Sequence, residues 1–212
     1  MVCIFAKAPR AGEVKTRLAH AVGADRAAQL AAAMLQDTIG EVTRAGLPTV
    51  LATTDPKALQ PYGLDVWDQG GGDLGQRLER VIRRAIALTG YALCIGADSP
   101  ALTAQELLEA QRALGDHDAV LAPAEDGGFV LLGLKHCPAG LLSEIPWSHA
   151  STGAAVRGRL EQRGYRVTAL PQGWDIDHVE DLQRLGGLPP QVAPNSRALV
   201  ASWAGMDKPP LA

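Results

Sequence analysis

The chain has 212 residues, 47% of them hydrophobic, a size at which one α/β domain still closes over a single core. Its formal net charge of -3 is spread without a basic arm or an acidic block, which argues against nucleic acid as a partner and leaves room for a small anionic ligand held by local charge. Cys3, Cys94 and Cys137 show no C-x-x-C spacing and have no histidines placed to complete a zinc site, so they read as free thiols in a reducing cytoplasm.

The opening apolar run, Met1–Ala6, is too short for a secretory signal, and no stretch approaches the roughly 20 apolar residues of a membrane span. A cytoplasmic protein without membrane attachment is expected. Short apolar runs then alternate with helix-period segments, the pattern of a parallel sheet with crossover helices. Strands are expected at Val2–Ala6, Thr49–Thr53, Asp65–Asp68, Tyr91–Ala97, Ala119–Ala122, Phe129–Leu134 and Tyr165–Leu170. In such a sheet ligands bind beyond the carboxyl ends of the strands, so the residues after each strand are the informative ones.

The first strand leads into Lys7-Ala8-Pro9-Arg10-Ala11-Gly12-Glu13-Val14-Lys15-Thr16-Arg17-Leu18. Lys7, Arg10, Lys15 and Arg17, interleaved with Pro9 and Gly12, suit a loop that wraps phosphates with charge and backbone N–H groups. A Walker A loop is excluded, because Val14 and Pro9 stand where it needs glycines. Ala24–Ala45 is helical by propensity, is ended by Leu47-Pro48, and carries nothing that looks chemical.

After the third strand, Gly70-Gly71-Gly72-Asp73-Leu74-Gly75 matches G-x-G-x-x-G and opens a helix over Leu74–Leu88. That fingerprint keeps an NAD(P)-dependent oxidoreductase as a rival reading, although it normally belongs to the first βαβ unit. The fourth strand ends in Gly96-Ala97-Asp98-Ser99-Pro100, where a lone carboxylate at a strand tip is placed to hold Mg²⁺ or Mn²⁺ together with substrate phosphates. Thr103 with Glu106 forms a capping box for the next helix, which leaves Asp98 free of that duty.

The fifth strand ends in Ala124-Glu125-Asp126-Gly127-Gly128: Asp126 is a candidate to face the acceptor, and Gly127 and Gly128 would let substrate approach the backbone. His149, in Trp147-Ser148-His149-Ala150-Ser151-Thr152, could also approach an acceptor. In Trp174-Asp175-Ile176-Asp177-His178, two carboxylates two residues apart on an extended segment point the same way. Both could reach one cation, or one could hold metal while the other caps the helix that follows. Residues 1–186 are expected to form the domain, and 187–212 an irregular Pro-rich tail with Trp203 packing on this subunit or on a second copy in a homodimer.

Together, Phe5-Ala6-Lys7-Ala8-Pro9, Gly12–Leu18, Asp73-Leu74-Gly75-Gln76-Arg77, Gly96–Pro100, Pro123–Gly128 and Asp175-Ile176-Asp177 resemble the bacterial glycosyltransferase-like proteins often encoded beside radical-SAM and selenium-related domains. The resemblance runs from about Val2 to Leu185. It implies a GT-A fold, the α/β three-layer architecture of nucleotide-diphospho-sugar transferases, and kinship with 2-phospholactate guanylyltransferase and the molybdopterin nucleotidyltransferases. Carried over, it makes Asp98 and Asp177 the metal-binding aspartates and Lys15 and Arg17 the cations on the nucleotide phosphates. The Gly70–Gly75 loop becomes one facing acceptor or base, with Gln69, Asp73, Gly75 and Arg77 as substrate-binding candidates. The chain departs from the family at His178, where Thr commonly follows the aspartate, and at Phe129, where Tyr is frequent; these departures bear on the helix cap and on a hydroxyl in the acceptor site.

The expectation is therefore a metal-dependent transferase that uses an activated nucleotide and a small-molecule acceptor. Glycosyl transfer from an NDP-sugar leads, nucleotidyl transfer from an NTP with release of pyrophosphate is the alternative, and a non-enzymatic nucleotide-binding protein is the reading from another class. Asp126, Lys15 and Arg17 would carry the chemistry by orientation and charge.

Overall fold

The computed structural model describes residues 1–206. Seven strands form one sheet: β1 (Val2–Phe5), β2 (Thr49–Thr53), β3 (Asp65–Asp68), β4 (Ala92–Gly96), β5 (Ala119–Pro123), β6 (Phe129–Leu134) and β7 (Val167–Ala169). Their order is β3-β2-β1-β4-β6-β5-β7, with β1 parallel to both β2 and β4, and β6 antiparallel to both β4 and β5. The expected mostly parallel α/β sheet is what the chain forms.

Alternation along the strands separates two cores. Val2 and Ile4 of β1 face one layer with Leu35, Val42, Leu107, Ala110 and Leu114, while Cys3 faces the other with Leu78, Val81, Ile82, Ala85, Val156 and Leu160. The first layer is built by α2 (Ala24–Ala45) and α5 (Ala104–Asp116), with Leu59 of the short α3 (Pro56–Leu59) packed into it, the second by α4 (Leu74–Thr89) and α6 (Thr152–Gln162). The α5 capping box of Thr103 and Glu106 is present as expected, and α2 stops at Gly46 in the left-handed region.

A third cluster lies outside α2. There α1 (Thr16–Val22), α7 (Asp181–Gly187) and α8 (Pro194–Met206) gather Leu18, Leu30, Met34, Trp174, Ile176, Leu185 and Trp203. The segment expected to be irregular therefore contains a helix. Pro194 sits in the first turn of α8, where a missing N–H leaves no bond unmade, so the proline density of this region does not prevent the helix. Trp203 packs on this same chain, and residues 207–212 lie outside the described residues. Among the described residues no helix is long and apolar enough to cross a membrane.

Candidate active site

The connection leaving β1 runs towards β2 and β4 lies on its other side, so the switch point of the sheet falls at the carboxyl ends of β1 and β4. A cavity of about 800 Å³ opens there. Lys7, Lys15, Thr16 and Arg17 line it from the first loop, Asp98 from the end of β4, Asp126 from the β5–β6 turn and Asp177 from the segment before α7.

Lys15 is the hub. Its backbone adopts φ 46 and ψ 45, a left-handed conformation that a non-glycine residue adopts only when its surroundings impose it. Buried Val14 and Leu18 anchor the chain on either side. The Lys15 ammonium donates to Asp98 Oδ2 at 2.7 Å and to Asp177 Oδ1 at 3.0 Å, while Arg17 Nη1 reaches Asp177 Oδ2 at 3.1 Å. Burial opposes the charge on Lys15, but Asp98 and Asp177 outweigh it and raise its pKa. For Asp177 burial again favours the neutral form, and Lys15 and Arg17 overcome it to leave the pKa lowered.

Asp175 and Asp177 do project together, as their spacing requires. Between them Ile176 turns the other way into the third core cluster, and its N–H donates to the Asp98 carbonyl at 3.1 Å, tying the segment to the end of β4. Oxygens of Asp98, Asp175 and Asp177 all lie within 4.8 Å of one another. Neither Asp175 nor Asp177 caps the next helix. Asp181 Oδ2 instead accepts from the N–H groups of Asp177 at 2.9 Å and His178 at 2.7 Å, so the turn is held whichever residue stands at 178.

Three converging carboxylates are the donor set of a hard divalent cation such as Mg²⁺ or Mn²⁺. The cluster is also short of positive charge: burial and the neighbouring Asp98 raise the Asp175 pKa to about 6, and Lys15 only partly opposes them. The residues thus fit a metal.

Across the cavity, Asp126 Oδ1 accepts the Gly128 N–H at 2.8 Å, which fixes the carboxylate beside the turn. Gly127, at φ 88, takes the left-handed turn, and a side chain there would run into the Ala150 carbonyl. The 147–150 segment is thereby packed onto the turn and brings Ser148, His149 and Ala150 to the cavity wall. Phe129, where a hydroxyl was at issue, supports this segment through an edge-to-face contact with Trp147 at 6.4 Å. Glu125 points elsewhere, into a two-bond pair with Arg184.

Several candidates do not line this cavity. Arg10 pairs with Asp55 and Glu13, and Gly12 is not part of the wall. Gln69 is buried and donates to the Ala52 carbonyl at 2.7 Å. Asp73 is the N-cap of α4, in a capping box with Gln76. Arg77 Nε donates to the Asp73 carbonyl at 3.3 Å, and a side chain at Gly75 would strike the Leu142 carbonyl. The dinucleotide reading loses its footing as well: β3 is an edge strand, and Arg80 draws in the Gln69 and Gly71 carbonyls, whereas a pyrophosphate would need N–H groups. Conversely, Ala31, Met34 and Leu35 of α2 form a cavity wall with Phe5 that sequence reading passed over. Apolar helix residues carry no chemical signal until the fold turns them towards a site.

Comparison with solved structures gives the same architecture. A "putative nucleotide-diphospho-sugar transferase" from Desulfovibrio desulfuricans G20 superposes with TM-score 0.88 at 24% identity, covering 97% of this chain and 95% of that one. A cytidylyltransferase from Leptospira borgpetersenii serovar Hardjo-bovis (strain JB197) matches with TM-score 0.59 at 11% identity over 100% and 98% of the two chains. The CMP:2-keto-3-deoxy-manno-octonic acid synthetase complexed with CTP matches with TM-score 0.58 at 13% identity over 96% and 98%. Likeness at these identities is a likeness of fold, and it meets the expectation of a nucleotide-diphospho-sugar transferase-like domain. No curated protein matches the chain. The family described as "Uncharacterized protein conserved in bacteria (DUF2064)" matches residues 20–149, more than half of the chain, and the chain belongs to that family.

Proposed function

We propose that the chain is a metal-assisted transferase that draws on a nucleotide-activated donor, and that it moves a glycosyl group from an NDP-sugar to a small acceptor. The observation that carries this reading is the convergence of Lys7, Lys15 and Arg17 with Asp98 and Asp177 on one cavity at the sheet's switch point, with an oxygen of Asp175 within 4.8 Å of both aspartates. Mg²⁺ or Mn²⁺ held by the three aspartates would supply Lewis-acid neutralisation of phosphate charge. The cations of the first loop hold the phosphates and meet the charge that builds on the departing diphosphate. Phe5, Ala31, Met34 and Leu35 offer an apolar wall for the flat base or ribose.

Asp126 faces the acceptor. Its Oδ1 is engaged by Gly128, and Oδ2 is left to orient an acceptor hydroxyl and take its proton as the acceptor oxygen bonds to the anomeric carbon and the carbon–phosphate oxygen bond breaks. Four cations in the first loop would favour a triphosphate, whose leaving group carries more charge. With Arg10 tied to Asp55 outside the cavity, three remain, a set that suits the smaller charge of a diphosphate leaving group.

The test is a panel of UDP-, GDP-, ADP-, CDP- and dTDP-sugars, and the matching NTPs, with Mn²⁺ or Mg²⁺ and a set of alcohol and phosphorylated acceptors, followed by ³¹P NMR. Acceptor-dependent release of NDP is expected, lowered about 10²–10³-fold by Asp98→Ala or Arg17→Ala. Pyrophosphate release from an NTP would replace glycosyl by nucleotidyl transfer. Metal-dependent binding with no turnover on any acceptor would make the chain a nucleotide-binding protein.

A further inference from the structure

We infer that Lys15 is a resident cation: its ammonium holds the place in the aspartate cluster that a divalent cation takes, so the site excludes free metal and admits the metal–nucleotide complex. This rests on the proposed metal-assisted use of a nucleotide. The argument is geometric. The Lys15 ammonium bridges Asp98 Oδ2 at 2.7 Å and Asp177 Oδ1 at 3.0 Å, the same carboxylates that would ligate a divalent cation. Oxygens of these two aspartates and of Asp175 lie within 4.8 Å of one another, so a cation ligated by them would share their space with the ammonium, too close for two positive centres.

Displacing the ammonium is not free. The Lys15 side chain is only 9% exposed where it bridges the pair, and the carboxylates it would leave are themselves about a third exposed. A bare cation must therefore break two charged hydrogen bonds and leave the ammonium without a counter-charge. A polyphosphate removes that penalty. Lys15 lines the same cavity as Lys7 and Arg17, and phosphate oxygens entering there give the ammonium new acceptors at the moment the cation takes its old ones. The left-handed backbone at Lys15 fixes where the side chain starts, so the exchange is a swing of the side chain and not a refolding of the loop.

The experiment is Mn²⁺ binding without nucleotide, followed by electron paramagnetic resonance of the free ion, on the wild-type chain and on Lys15→Met, Lys15→Gln and Lys15→Arg. The inference expects weak binding by wild type and Lys15→Arg, and at least tenfold tighter binding by Lys15→Met and Lys15→Gln, each shown to be folded by circular dichroism. Unchanged or weaker Mn²⁺ affinity in a folded neutral variant overturns it. In the wild-type chain, which folds without any substitution, water-proton relaxation should report at least tenfold tighter Mn²⁺ binding with saturating UDP or CDP than without; equal affinity overturns the inference. Placing Asp98→Ala in the Lys15→Met background separates the two layers of argument. Mn²⁺ binding that survives it overturns the metal site itself, whereas Asp98-dependent binding that Lys15→Met does not tighten overturns only the role given to Lys15.

Discussion

Asp175 is the carboxylate of the cluster that neither cation touches. Lys15 bonds Asp98 and Asp177 and Arg17 bonds Asp177, which leaves Asp175 with burial and a neighbouring negative charge that together raise its pKa to about 6. An acid with a folded-state pKa above its unfolded value of 3.8 binds more protons when folded, so its contribution to stability is complete below 3.8 and is lost as pH rises through 6. Metal-free protein should accordingly lose melting temperature between about pH 4 and 6, and Asp175→Asn should flatten that slope and raise the melting temperature at pH 7.5. With Mn²⁺ and nucleotide together the sign reverses, because the cation binds the carboxylate form: the shift they induce should be full at pH 7.5 and largely gone at pH 5. An unaltered slope in Asp175→Asn would mean that this carboxyl is ionised throughout. Spacing alone brought Asp175 and Asp177 to one side of the chain; which of the two would be left without a cation depends on where the Lys15 side chain, 162 residues from Asp177, ends up, and no spacing encodes that.

At the scale of elements, α8 is held to α2 by a buried carboxylate. Asp37, 6% exposed, accepts from Asn195 N–H at 2.9 Å, Asn195 Nδ2 at 2.8 Å, Ser196 N–H at 2.9 Å and Ser196 Oγ at 2.6 Å. It thereby satisfies first-turn donors of α8 from a neighbouring helix and sets a negative charge at the positive end of that helix. Asp37→Ala leaves those donors buried and unpaired, and should lower the unfolding free energy by about 2–4 kcal/mol in urea titrations, with α8 becoming the first site of proteolytic cleavage. Asp37→Asn, which keeps one acceptor, should lose less. This latch explains what was legible and what was not. Strand positions and the span of α2 follow from local apolar period and the Leu47-Pro48 break, and α5 announces itself through Thr103 and Glu106. The helix α8 does not, because its first-turn donors are satisfied from 158 residues away and its prolines mimic a tail. Asp73 shows the converse error: a polar residue in a glycine-rich loop invites a ligand role, but its carboxylate is used by Gln76 at 2.9 Å to begin α4.

For the molecule as a whole, the site is assembled from the loop after β1, the tip of β4, the β5–β6 turn and the segment before α7, which are far apart in the sequence and are brought together by the sheet. A ligand that joins them binds only the folded chain, so its affinity adds directly to global stability. At 100 times its Kd a metal–nucleotide complex should stabilise by about 2.7 kcal/mol. At about 2–4 °C per kcal/mol for a domain of this length, that is a rise of about 5–10 °C in melting temperature. The rise should need nucleotide and Mn²⁺ together, should vanish in Asp98→Ala, and should persist in Gln69→Ala once measured from that variant's own baseline, because Gln69 serves the Ala52 carbonyl and not the cavity. NADH tests the competing architecture of the site. A dinucleotide bound at Gly70–Gly75 would stabilise without metal and would be indifferent to Asp98, since that loop sits at the edge strand β3, with β2 and β1 between it and β4. A metal-independent shift with NADH, unaffected by Asp98→Ala, would move the ligand to that edge; a shift that requires Mn²⁺, a nucleotide phosphate and Asp98 together keeps it at the switch point between β1 and β4.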